Sequence, residues 1–205
     1  MSGFRVVPCT GNGNCLFNAI SMFANSTEAY ANTLRRIAVE RVREEFVVFC
    51  EYMDFPQHIC MLNNTMRMAW YTQHMLTDGV WASNLVEGEA LARALSVRIN
   101  FLNHRNELVH HSTMNYDTEI TLRFVNNNHF ELMMPMNNNG CMQLQRRRVE
   151  ATINQIGRLF GYAGETRDGH VHGKRRKQNK RKNRYCRWNG YINLTVDIHV
   201  IQMFG

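Results

Sequence analysis

Residues 10–21 read TGNGNCLFNAIS, and residues 126–135 read NNNHFELMMP. In the first stretch Cys15 follows the turn Gly11–Asn14, whose glycines and asparagines both tolerate positive φ. The apolar run behind it predicts a helix from Leu16 to about Ala24. In the second stretch His129 heads a strand. A cysteine attacks as thiolate, and placement at a helix N-terminus beside an imidazole favours that form. The turn before Cys15, with Asn12, Gly13 and Asn14, offers backbone N–H groups to a developing oxyanion. His129 has the chemistry of a general base and then a general acid. Residues two apart on a strand share a face, so Glu131 lies beside His129 and can hold its imidazole by an Nδ1–H bond. Phe130, Leu132 and Met134 then point to a core. No local rule joins Cys15 to His129; only a fold can.

The surrounding patterns supply that fold. Ile120, Leu122 and Phe124 alternate in a strand over Glu119–Val125, and Asn126–Asn128 turn it into the strand from His129 to Met134, a β-hairpin. Val97, Ile99 and Phe101 alternate in a further strand, Val97–Asn103. From about Tyr30 to Tyr52, Leu34, Ile37, Ala38, Val42, Phe46 and Phe49 recur at helical spacing. That reading places Arg35, Arg36, Glu40, Arg43 and Glu44 among the exposed positions of one long helix. A shorter helix covers Thr65 to Leu76. Asn84 with Glu87 has the form of a capping box, opening a helix through Leu95. Helices flanking a small sheet make the class α+β.

Charge divides the chain. Residues 1–150 carry 13 basic and 14 acidic side chains, a net of −1, and residues 151–205 carry 11 and 3, a net of +8. The expected organisation is a domain over residues 1–140 and a basic extension over 141–205. In the extension, residues 143–160 suit a basic helix, the cationic run is disordered on its own, and Tyr191–Phe204 suits a strand. No apolar run of about 18 residues predicts a membrane span, and the N-terminal residues lack a secretion signal. The six cysteines have no framework spacing, so free thiols in a reducing compartment, cytoplasmic or nuclear, are expected. No cysteine or histidine pair has the spacing of a zinc site, so no metal is expected. The run Lys174, Arg175, Arg176, Lys177, Lys180, Arg181, Lys182, Arg184 fits either a nucleic-acid patch or a signal for an import receptor.

GNGNCLFNAIS resembles the nucleophile motif D-G-[NDS]-C-[LF]-[FY]-R of the ovarian-tumour (OTU) cysteine proteases. NNNHFELM resembles that family's histidine motif, and GVWASNLVEGEALARALSVRINFL is similar to its central block. The three blocks lie in family order over residues 5–136. The resemblance implies a compact papain-like α/β arrangement, no cofactor, and an isopeptidase acting on ubiquitin or ubiquitin-like conjugates. By position it makes Cys15 the nucleophile, His129 the base and Glu131 the orienting residue. Asn12 takes the place of an aspartate shaping the oxyanion loop, and Asn18 that of an arginine. Trp81 matches a structural tryptophan. The short motifs are similar to OTU domains carried by viruses, which implies action inside the host cell. A polyprotein-processing cysteine protease and a non-catalytic nucleic-acid-binding protein are the alternatives. Finally, every basic residue before Lys174 is an arginine; a deubiquitinase built this way offers no acceptor lysine on its catalytic domain.

Overall fold

The computed structural model describes residues 3–126, 129–136 and 140–161. The cationic run and the strand expected at Tyr191–Phe204 lie outside these residues. Five strands form one mixed sheet in the order β1-β5-β4-β2-β3: β1 Phe4–Val7, β2 Arg98–Leu102, β3 Leu108–His111, β4 Glu119–Val125 and β5 His129–Pro135. β2 and β4 run parallel, and every other neighbouring pair is antiparallel. Strand alternation divides the residues as their chemistry demands. Ile99, Phe101, Ile120, Leu122, Phe130 and Leu132 are buried on one face. Asn100, Thr121, Arg123, His129 and Glu131 lie half-buried on the other.

The helices are α1 Cys15–Asn25, α2 Ala31–Glu44, α3 Phe46–Phe49, α4 Gln57–Cys60, α5 Asn64–Met75, α6 Glu89–Leu95 and α7 Gly140–Leu159. α1 packs on β5 and against α2, and α2 packs in turn on α6. α1 is buried nearly all round, Asn18 and Ser21 included. The single helix expected over Tyr30–Tyr52 breaks at Glu45, which takes φ −117° and ψ 32°. Its carboxylate bonds both Arg41 of α2 and Arg93 of α6. The expected capping box is displaced by one residue. Ser83, not Asn84, is the N-cap, its Oγ accepting the Leu85 N–H while Glu87 Oε2 accepts the Ser83 N–H. A π-helical turn over Asn84–Gly88 precedes α6. It lets Gly88 lie on the Phe101 ring, 2.7 Å from where a Cβ would stand.

α7, read from the sequence as the start of the basic extension, packs on α1, α2 and α6, and its Val149 and Ile153 are buried in the same core. Arg146 donates to Phe23 O and Ser26 Oγ, and the Tyr30 hydroxyl meets both Glu150 and Asn154. Among the described residues no helix is long and apolar enough to cross a membrane.

Ile153 tests this placement. Truncating a fully buried isoleucine costs roughly 2–5 kcal/mol, so Ile153→Ala should lower the urea midpoint of the whole domain in a single transition. An unchanged midpoint would mean that α7 is appended rather than integral.

Candidate active site

The loop before Cys15 is held by side chains that converge on it from two helices. Asn12 Oδ1 accepts the Asn14 N–H at 3.2 Å and the Asn18 amide at 3.4 Å, and the same Asn18 amide donates to Thr10 O at 3.0 Å. Arg35 comes from α2. Its Nε donates to Asn14 Oδ1 at 2.9 Å, Nη1 to Met75 O at 2.8 Å, and Nη2 to Gly13 O at 2.9 Å and Val80 O at 2.7 Å. The guanidinium also lies over the Phe17 ring, 4.7 Å from its centroid. The sequence pattern placed Arg35 at the surface, but it is 5% exposed. The signal that finds it is spacing: Ala31, Arg35, Ala38 and Val42 form one helical stripe, and all four are buried.

The next turn of chain closes on the same loop. Gly13 has φ +80°, and a Cβ there would stand 2.6 Å from the backbone of Gly79, itself at φ +80°. Two glycines thus let two backbones touch, which no side chain at position 13 permits. Trp81 follows two residues later and is 44% exposed.

Cys15 begins α1 and is 1% exposed. Burial pushes its thiol pKa up; the N–H groups of Phe130, Leu16 and Cys15 itself oppose this by donating to the sulfur, as does the charge of Arg35. The Phe130 contact matters most for geometry. The Phe130 nitrogen belongs to the peptide group that follows His129, so the sulfur lies within one residue of His129 on β5. From the other side the backbone of Gly11 approaches the His129 ring: a Cβ on Gly11 would stand 3.7 Å from Nδ1. The fold therefore brings Cys15, His129 and the Gly11–Asn14 loop together. Asn14 contributes less than expected to an oxyanion site, since its N–H is taken by Asn12 Oδ1. Glu131 shares the half-buried face with His129, and its Oε2 accepts two N–H bonds from Arg123, its cross-strand partner, at 3.1 and 2.7 Å.

A second thiol, Cys9, is pushed up to about 11, mainly by burial, with Glu28, Cys15 and Glu131 adding negative charge nearby. A cavity of about 150 Å³ is lined by Ala82, Ser83, Asn84, Phe101, Val109, Phe124 and Phe130. Among the described residues no group of three or more His, Cys, Asp or Glu is placed to hold a metal ion.

A family described as OTU-like cysteine protease matches residues 10–132, more than half of the chain, from the loop through β5. The chain belongs to that OTU family. Solved structures share its fold. The viral OTU domain protease of Farallon virus has 21% identity and a TM-score of 0.51, over 66% of this chain and 86% of that one. That of Qalyub virus has 20% identity and 0.50, over 65% and 85%. An OTU deubiquitinase from Wolbachia pipientis wMel has 20% identity and 0.50, over 71% and 96%. No curated protein matches. Set against the OTU motif, the two departures acquire a physical sense. The chain places Asn12 and Asn18 where the motif has an aspartate and an arginine, and these two amides bond each other.

Two measurements probe this scaffold. An ammonium carries Arg35's charge but cannot span acceptors from three segments, and buried acceptors left unpaired cost about 1–3 kcal/mol each. Arg35→Lys should therefore lower unfolding stability by roughly 2–4 kcal/mol; a loss below about 0.5 kcal/mol, the size of ordinary surface substitutions, would dismiss the anchoring role. The second concerns Glu87, 3% exposed, which accepts from the Tyr71 hydroxyl at 2.7 Å and the Ser83 N–H at 2.6 Å. Burial raises its carboxyl pKa, these bonds and Arg35 opposing. A raised folded pKa gives stability that is complete below the unfolded value of about 4.3 and is lost as pH climbs through the folded one. Wild type should thus lose stability relative to Glu87→Gln as pH rises from about 4 toward neutrality. Denaturant curves that stay parallel across that range would contradict the shift.

Proposed function

We propose that this chain is a cysteine isopeptidase that removes ubiquitin, or a ubiquitin-like modifier, from lysine side chains. The observation that supports the reading is that the loop leading into Cys15, the first residue of α1, passes against His129: a Cβ on Gly11 would stand 3.7 Å from its Nδ1. Membership of the OTU-like cysteine protease family supports the reaction class. The Wolbachia protein of the same fold, described as a deubiquitinase, supports the substrate class.

The chemistry runs as proton transfers around one sulfur. His129 takes the Cys15 proton in the attack. The sulfur adds to the scissile carbonyl, and the N–H groups at the start of α1 receive the oxyanion charge. His129 returns the proton to the departing lysine amine, leaving a thioester on Cys15. A water, deprotonated by His129, then releases the modifier's C-terminal carboxylate. Glu131, pinned by Arg123, is the group that holds the imidazole. Asn12 shapes the loop, and the cavity beside Phe130 has room for an aliphatic side chain of the arriving tail.

Ubiquitin carrying an electrophilic C-terminus tests the proposal against wild type, Cys15→Ala, His129→Ala and Glu131→Gln. Wild type should form a covalent adduct and Cys15→Ala none. His129→Ala should slow the reaction by about 100-fold or more, the scale of general-base loss, and Glu131→Gln by less. Folded wild type without an adduct would exclude ubiquitin and turn attention to other modifiers or a polyprotein. An adduct on Cys15→Ala would move the nucleophile elsewhere.

A further inference from the structure

Two arginines of the sheet face a glutamate on the neighbouring strand, and the two pairs are built differently. Arg98 and Glu119, partners across β2 and β4, stand 3.8 Å apart through one nitrogen, with Glu119 more than half exposed. Arg123 and Glu131, partners across β4 and β5, are joined by two bonds, from Nε at 3.1 Å and Nη2 at 2.7 Å, and each side chain is less than a quarter exposed. An open pair of the first kind contributes little. A shielded, two-nitrogen pair of the second kind fixes geometry as well as charge. Its place in the sheet gives that geometry a use. Glu131 stands two residues from His129 on the same face of β5, about 6.5 Å along the strand. To meet the imidazole the carboxylate must lie back along the strand, which is one rotamer among many for a free glutamate. Freezing such a side chain costs up to about 1.5–2 kcal/mol. Both arginine bonds converge on Oε2, so they fix the carboxylate and leave Oε1 to a second donor.

We propose that Arg123 is a positioning residue for the thiol reaction: it pins Glu131 so that the second carboxylate oxygen holds the His129 imidazole in the orientation that takes the Cys15 proton. The inference rests on the isopeptidase reading above and assigns Arg123 no contact with substrate. One ring N–H of His129 donates to Oε1. The lone pair then lies on the other ring nitrogen, which accepts the thiol proton and later returns it to the leaving amine. A guanidinium suits this task better than an ammonium. Its planar fork meets the carboxylate through two nitrogens and so restricts rotation about the last bonds of Glu131, whereas an ammonium is a point charge around which the carboxylate can swing.

The test uses the full chain and ubiquitin carrying a fluorogenic amide at its C-terminus, with kcat and KM measured separately. Arg123→Gln should lower kcat about tenfold, an ordinary coupling within one hydrogen-bond network, with KM changed by less than about twofold. Arg123→Lys should recover part of that loss. The deciding comparison is made on Glu131→Gln, where the carboxylate is already gone: there Arg123→Gln should change kcat by less than about twofold. Equal losses in the two backgrounds overturn the proposal, since Arg123 would then act on the fold independently of Glu131. A rise in KM at unchanged kcat overturns it too, as does an Arg123→Gln variant with wild-type kcat. Should Arg123→Gln fail to fold, the same comparison is made with Arg123→Lys, which keeps the charge. Wild type inert towards the ubiquitin amide overturns the isopeptidase reading and this proposal with it, whereas active wild type with additive losses overturns the role of Arg123 alone.

Discussion

A guanidinium buried in protein must have its N–H groups met, because desolvation of an unpaired cation costs several kcal/mol. In Arg35 that requirement organises the site. Its acceptors lie on the loop before Cys15, at the end of α5 and on the segment entering the π-turn, so three stretches distant in sequence are fixed relative to α2 by one side chain. Burial pulls the guanidinium's pKa down, and the carboxylate of Glu87 is the foremost opposing influence. Glu87 in turn holds the N-cap of the π-turn and the Tyr71 hydroxyl. Polar groups inside an apolar core thus form one connected network, in which each member's cost is offset by the next.

Against that fixed background the two candidate residues sit on regular elements. Cys15 is the first residue of α1 and His129 the first of β5, and these two elements pack directly. Their approach is set by backbone, through the Phe130 N–H and the close passage of Gly11. Backbone positioning of this kind leaves little to rotamer choice, whereas Glu131 is held through its side chain by Arg123.

Much of this was legible in the sequence where periodicity and chemistry agree. β4 and β5 fall where alternation put them, α1 starts at its cysteine, and the α+β class follows from the order of patterns. The four-residue edge strands β1 and β3 went unread because their alternation is too short to show and their residues are largely exposed. Arg35 was misjudged for the opposite reason: charge argues for the surface, and only tertiary acceptors reverse that. The helix break at Glu45 depends on Arg93, 48 residues away. α7 reads as part of a basic tail because its arginines dominate, while the contacts that dock it involve Tyr30, Phe23 and Ser26 far upstream. Cys15 and His129 were individually recognisable, but their meeting is a property of the sheet order.

α1 is apolar around almost its whole circumference, with α2, α7 and the sheet against it. A helix so enclosed cannot fray or tilt outward without opening the core, and elements of this kind exchange their amide hydrogens only through global unfolding. Cys15 is therefore tied to the most slowly exchanging part of the molecule. On heating, its surroundings and the rest of the fold come apart as one event.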